Sequence, residues 1–99
     1  MEENKTNLLN SLVLYRHRMR LSQRQVATLL DHKDTTRLSK LEAGHAFPGL
    51  KTSLKLAAIY RAPVEFLFPN FFLSIREDIR AKELQLAPIG QGVLFKEYL

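Results

Sequence analysis

The stretch LSQRQVATLLDHKDTTRLSKLEAG, from Leu21 to Gly44, carries two helical patterns on either side of a polar break. In the first pattern, Ser22 is followed three residues later by Gln25, which is the spacing of an N-terminal capping box. In the second pattern, two leucines spaced i, i+3 are followed by a glycine, which favours a helix that ends there. The stretch therefore predicts two short helices joined by a turn.

The polar break, Asp31 to Lys40, contains Leu38 as its single large apolar residue. Asp34 has the side chain of a good N-cap, so the second helix of the pair is predicted over 34–43. With Leu38 turned toward the core, the outer face of this helix carries hydroxyl and amino groups. The side chains expected on that face are Thr35, Thr36, Ser39 and Lys40.

Helical spacing continues on both sides of this pair. It predicts a first helix over 6–19, a fourth helix after Gly49, a fifth that opens at Pro63 and a sixth over 72–86. The fold class is therefore all-α, with five helices in a bundle followed by a C-terminal helix. The last residues, VLFKEYL, are rich in strand formers and predict a short extended tail. The apolar residues that define the helical faces include Leu8, Leu9, Leu12, Val13, Val26, Leu29, Leu30, Leu50, Leu54, Leu67 and Phe68.

The positive charge is concentrated in the middle of the chain. The net charge is +5 over 99 residues, and the segment from Arg16 to Lys55 holds nine Lys or Arg against three acids. A basic zone on a small domain is typical of a protein that binds a polyanion. The alternative is an ordinary solvated surface of lysines and arginines.

Other classes of function have little support in the sequence. There is no cysteine, which excludes disulfides and thiolate chemistry, and His17, His32 and His45 lack the spacing of a helical metal site. No catalytic set of side chains and no glycine-rich phosphate loop stands out. The N-terminus is polar and no apolar run is long enough to span a bilayer, so we expect a cytoplasmic protein that is not an enzyme and needs no metal or cofactor.

The pattern resembles the lambda-repressor-like (XRE) family of helix-turn-helix DNA-binding domains. The resemblance rests on LSQ at Leu21–Gln23, on Val26–Ala27, and on LSKLEAG at Leu38–Gly44 at the matching distance. An apolar helix and APVEFLF follow, so the likeness covers about residues 12–68. It implies a bundle in which the helix over 34–43 enters the major groove of double-stranded DNA. Here the turn DHKD is one residue longer than is common, and Asp31 or His32 is expected in the left-handed conformation.

The resemblance also implies roles for individual residues. Arg16 and Glu42 match an ion pair between the first and third helices. The outward side chains Thr35, Thr36, Ser39 and Lys40 match positions that face base edges, where Lys donates to guanine and Thr packs on the thymine methyl group. Contacts to DNA phosphates are expected from Gln23, Arg24, Lys33, Arg37, Gly44 and His45.

Residues 1–69 are therefore predicted to form the DNA-binding domain, and residues 70–99 an extension for dimerisation or partner binding. The contacts expected in the extension are made by Phe72, Ile75, Ile79, Val93, Phe95 and Tyr98. The predicted function is transcriptional regulation by a dimeric repressor, of bacterial or phage type, on a two-fold symmetric operator. One alternative is an antitoxin that represses its own operon and binds a toxin through 70–99, and another is a protein-interaction module on the same fold.

Overall fold

The computed structural model describes residues 10–86, and the predicted extended tail lies outside that range. The described part is helical, and no strand occurs in it, so the chain is all-α over these residues. The six helices are α1 (Leu12–Arg18), α2 (Gln23–Leu29), α3 (Thr36–Glu42), α4 (Leu50–Tyr60), α5 (Val64–Leu67) and α6 (Pro69–Leu86).

The first helix begins at Leu12, later than the predicted start at residue 6, although residues 6–9 lie outside the described range. The reason is a set of contacts that hold Asn10 and Ser11 out of the helix. The Asn10 Oδ1 atom accepts from the Leu12 N–H at 2.9 Å, and its Nδ2 donates to the Leu41 carbonyl at 2.9 Å. Ser11 N–H donates to the Leu67 carbonyl at 2.9 Å. The start of α1 is thereby tied to α3 and α5.

The capping box predicted at α2 is present. The Ser22 Oγ accepts from the Gln25 N–H at 3.0 Å, and the Gln25 Oε1 accepts from the Ser22 N–H at 2.8 Å. At α3 the helix begins at Thr36 instead of residue 34, because the Asp34 Oδ1 accepts from the Thr36 N–H at 3.0 Å. This backbone hydrogen bond lowers the pKa of Asp34. Asp34 thus satisfies the first turn of α3 from two residues before it.

Helices α1 to α4 all end with the same backbone conformation. The residue after each last turn is left-handed, with φ values of 58° at Arg20, 65° at Asp31, 80° at Gly44 and 55° at Arg61. The next N–H then reaches back five residues, as in His32 N–H to the Ala27 carbonyl at 2.9 Å. This is the Schellman arrangement, which satisfies helix carbonyls that would otherwise lack a partner. Three of the four left-handed residues are not glycine, so each carries backbone strain.

The core is built from one or two leucines or valines of each short helix. Leu12, Val26, Leu38, Leu56 and Leu67 are completely buried, and Tyr60 and Phe68 close the cluster. Four apolar residues that define the predicted helical faces are exposed instead, and Val13 of α1 is the least exposed of them at 37%. Leu29 is 54% exposed, Leu50 77% and Leu54 55%. The neighbouring helices contact the other side of α2 and α4, where Leu30, Leu56 and Tyr60 lie.

The last helix begins earlier than predicted and leaves the bundle. The sixth helix is predicted to begin at Phe72, but α6 already starts at Pro69, a residue suited to the first helical position. The Phe72 N–H donates to the Phe68 carbonyl at 2.9 Å, which joins α6 to the end of α5. Phe71 stacks on Phe47 with ring centroids 4.6 Å apart. No residue of α6 is buried.

The left-handed conformation of Arg61 gives a stability prediction. Glycine lacks the Cβ atom that makes this conformation costly, so we expect Arg61→Gly to be more stable than Arg61→Ala by about 1 kcal/mol. Arg61 is exposed, and both variants remove the same charge and side-chain contacts. Urea unfolding followed by circular dichroism measures the difference. Equal stability of the two variants would contradict a left-handed residue at this helix end.

Candidate nucleic-acid interface

The α3 helix has one buried and one exposed face. Leu38 and Leu41 hold it to the core, with exposures of 0% and 5%. Thr36, Ser39 and Lys40 are exposed, and Thr35 at the helix start is half-buried. Three of the four side chains expected to face DNA bases therefore lie fully on the surface, and the fourth lies at its edge.

The orientation of α3 is fixed by a hydrogen-bonded network around Glu42. Arg16 of α1 meets this carboxylate with both sides of its guanidinium, from Nε to Oε2 at 2.7 Å and from Nη2 to Oε1 at 3.2 Å. Gln23 of α2 donates from Nε2 to Oε1 at 2.8 Å. The hydrogen bond to Glu42 is the main cause that raises the pKa of Arg16. The expected ion pair between Arg16 and Glu42 is thus formed. Together with Gln23 it joins α1, α2 and α3.

The side chain of Gln23, which is expected to contact a DNA phosphate, is hydrogen-bonded within the fold. Its amide nitrogen is bound to Glu42, and its side chain is half-buried. In a similar way, the Gly44 N–H donates to the Leu41 carbonyl at 3.1 Å and the His45 N–H to the Lys40 carbonyl at 2.9 Å. These main-chain donors are used by the end of α3. The side chains of His45, Arg24, Lys33 and Arg37 are exposed.

The three acids of the basic segment are all engaged within the fold. Glu42 pairs with Arg16, Asp31 lies 3.2 Å from Lys55 Nζ, and Asp34 accepts from the backbone of α3. Of the nine basic residues counted between Arg16 and Lys55, removing these two paired ones leaves seven. No carboxylate within residues 10–86 pairs with any of them. All seven are exposed: Arg18, Arg20, Arg24, Lys33, Arg37, Lys40 and Lys51.

Two features of this region are not indicated by the sequence. His32 lies in the turn between α2 and α3 and lines an indentation beside Arg37 and Lys40. Tyr60 is buried next to the Arg16–Glu42 pair, its hydroxyl has no partner within the described part, and burial raises its pKa to about 12. Local spacing in the sequence predicts neither the position of His32 nor the burial of Tyr60, because both depend on how α4 packs against the rest of the bundle.

The α6 helix presents the residues expected to contact a second chain. Phe72, Ile75 and Ile79 lie on one face and are all more than two-fifths exposed. Val93, Phe95 and Tyr98, which were assigned to the same contact, lie outside the described residues. At the base of α6 an apolar groove of about 240 Å³ runs between Phe47, Val64, Phe68 and Phe72. The exposed face is therefore continuous with a groove on the bundle.

No protein-family model, curated protein or solved structure matches the chain. Over residues 10–86, no group of three or more His, Asp or Glu side chains has the arrangement of a metal site. Over the same range, no helix combines the length and the apolar character needed to cross a bilayer.

Loss of the Glu42 carboxylate should destabilise the bundle. The side chains of Arg16 and Glu42 are 12% and 5% exposed, so Glu42→Ala leaves a nearly buried guanidinium without its partner. We expect a loss of about 3 kcal/mol in the free energy of unfolding. Glu77→Ala, which removes an exposed carboxylate from α6, is the matched control and should change stability by less than about 0.5 kcal/mol. Equal effects of the two substitutions in urea unfolding would show that the network does not stabilise the fold.

Proposed function

We propose that this protein is a sequence-specific DNA-binding transcriptional regulator of the lambda-repressor-like helix-turn-helix type. The observation that carries the proposal is the exposed face of α3. Thr36, Ser39 and Lys40 project from a helix whose other face is held by Leu38 and Leu41. An α-helix fits the major groove, where each base pair presents a distinct set of donors and acceptors.

The side chains on α3 have suitable chemistry for reading bases. Lys40 donates to guanine O6 or N7, and the methyl group of Thr36 packs on the thymine methyl group while its hydroxyl bonds a neighbouring acceptor. Ser39 lies between them and adapts to either a donor or an acceptor. Base contacts are therefore assigned to these three, with Thr35 at the edge.

Phosphate contacts are assigned to exposed cationic side chains on either side of α3. Arg24 lies at the start of α2, Lys33 in the turn, Arg37 on α3 and His45 after its end. Such contacts position a protein on the duplex without reading its sequence. Glu42 is nearly buried, so the exposed charges of this segment are seven cations against Asp31 and Asp34.

Selection of bound duplexes from a random pool tests the proposal, followed by variants measured on the enriched sequence. Lys40→Ala should weaken that duplex by about 1–3 kcal/mol and relax its sequence preference. Arg24→Ala should weaken all duplexes alike and reduce the salt slope by about 1. Arg80→Ala is the control, since it removes the same charge from α6, where Arg80 lies 3.7 Å from Glu83 and outside the row of Phe72, Ile75 and Ile79.

Two outcomes would contradict the proposal. With about six phosphate contacts, affinity should fall about a thousandfold between 50 and 200 mM salt. If no duplex bound more tightly than about 1 mM at low salt, DNA binding would be excluded, since even non-specific binders reach about 0.1 mM. If Lys40→Ala behaved like Arg80→Ala on every duplex, base reading by α3 would be wrong.

We further propose that the regulator acts as a homodimer through the apolar face of α6. An 18-residue helix without a buried residue gains its stability from a partner, and Phe72, Ile75 and Ile79 form an apolar row on it. A two-fold dimer would present two copies of α3 to successive major grooves. This arrangement fits a two-fold symmetric operator.

Charge placed in the apolar row of α6 should prevent dimer formation. We expect the double variant Ile75→Asp, Ile79→Asp to be monomeric by light scattering, because pairing would bury two carboxylates. Ala81→Asp, on the opposite face of the same helix, is the control and should remain a dimer. A monomeric wild-type chain, or a dimer that persists in the double variant, would contradict this interface.

The exposed face of α6 also supports the second candidate function, an antitoxin. In that case the apolar row binds a different protein, and α3 binds the operator of the shared operon. A wild-type chain that binds DNA but remains monomeric at high concentration would favour this function over the homodimer. The double aspartate variant would then lose the partner and retain DNA binding by each single domain.

A further inference from the structure

Beside α3 there is an indentation of about 120 Å³, which we call the basic notch. Its cationic or potentially cationic side chains are His32 from the turn, and Arg37 and Lys40 from α3. The hydroxyl of Thr52, in the first turn of α4, lies on the opposite side. Among residues 10–86, no carboxylate lines the notch. Leu41 and the backbone segment 46–49 complete it.

The position of His32 is set by the end of α2. Asp31 is left-handed, and the His32 N–H donates to the Ala27 carbonyl, so the backbone on both sides of the ring is fixed. The side chain is half-buried, and Nδ1 is buried with no hydrogen-bond partner among the described atoms. The ring is therefore held at the notch by the fold itself.

Charges from three elements surround the His32 ring. Arg37 faces it from α3 and Lys55 from α4, while Asp31 and Asp34 lie on its own turn. Asp31 is bound by Lys55 at 3.2 Å, and Asp34 accepts from the Thr36 backbone. Burial first, and then the two cations, lower the pKa of His32. These surroundings favour the neutral form of the ring in the free protein.

An anion bound in the notch would favour the charged form of the His32 ring instead. A phosphate brought next to Arg37 and Lys40 favours a positive charge on the neighbouring imidazole, since an opposite charge a few ångströms away stabilises the charged form. The α3 helix that borders the notch is the one proposed to enter the major groove, so the backbone of the duplex passes beside it. Binding and protonation are then linked, and each favours the other.

We propose that the basic notch binds a phosphate of the DNA backbone, with protonated His32 and Arg37 as its ligands, so that DNA affinity rises as pH falls. The proposal rests on the DNA-binding function proposed above. It assigns to His32 a phosphate contact from the turn between α2 and α3. It also makes the affinity of the regulator respond to pH near neutrality through a single side chain.

The test is the pH dependence of binding to the duplex enriched from the random pool, between pH 5.5 and 8 at constant salt. Uptake of one proton limits the change to about tenfold per pH unit, and we expect the dissociation constant to increase about fivefold to tenfold across the range. His32→Gln should bind with a nearly constant affinity. His17→Gln is the matched control and should retain the wild-type pH dependence, because His17 is exposed on α1 and has no assigned contact to DNA. Circular dichroism at each pH verifies that every variant is folded.

Nuclear magnetic resonance of the His32 ring gives a second, independent readout. The pKa of His32 should be higher in the complex than in the free protein. A duplex that binds with no pH dependence and no change in the His32 pKa would overturn this inference and leave the proposed function intact. A pH dependence that persists in His32→Gln and disappears in His45→Gln would do the same. Absence of binding to any duplex at any pH would overturn both.

Discussion

The rest of the structure depends on the ion pair between Arg16 and Glu42. A single carboxylate, 5% exposed, accepts from the α1 guanidinium and from the amide of Gln23 on α2, while it belongs to α3. Arg16 also donates to the Leu21 carbonyl at 3.2 Å, which fixes the connection between α1 and α2. Three helices of seven residues each are too short to be stable alone, so their mutual orientation comes from this network and from the leucines packed beside it. The direction in which α3 faces follows from the same contacts.

The network has an electrostatic consequence for the surface. Glu42 is nearly buried in it, Asp31 is bound by Lys55, and Asp34 serves the start of α3, so the acids of the central segment satisfy donors within the fold. The cations of that segment, apart from Arg16 and Lys55, remain exposed. The exposed charged side chains of the segment are therefore mostly cationic, and several of them lie on or beside α3. This is the property that a polyanion ligand requires.

The two ends of the described structure differ in whether their apolar residues are buried. Leu12 begins α1 inside the core, whereas α6 leaves the bundle after Phe68 and carries Phe72, Ile75 and Ile79 on its surface. The bundle is closed before α6, because Leu67 and Phe68 already cover the cluster around Leu56. Within residues 10–86 the apolar row of α6 joins no core, and it is this row that the proposed homodimer would cover.

The sequence by itself determined several local features of this protein, which depend on neighbouring residues only. The capping box at Ser22, the anchoring of α3 by Leu38 and Leu41 and the stop at Gly44 depend on residues within one or two helical turns, so spacing in the sequence reveals them. The sequence limits the left-handed position in the turn to Asp31 or His32, and the structure has it at Asp31. The basic character of the central segment was equally visible. Only the tertiary structure decided which side of α2 and α4 is buried, that Gln23 binds Glu42, and that His32 lies beside Arg37 and Lys40. Each of these depends on residues about 20 positions apart, or on the packing of α4 against the turn, and an apolar stripe does not specify which neighbour will cover it.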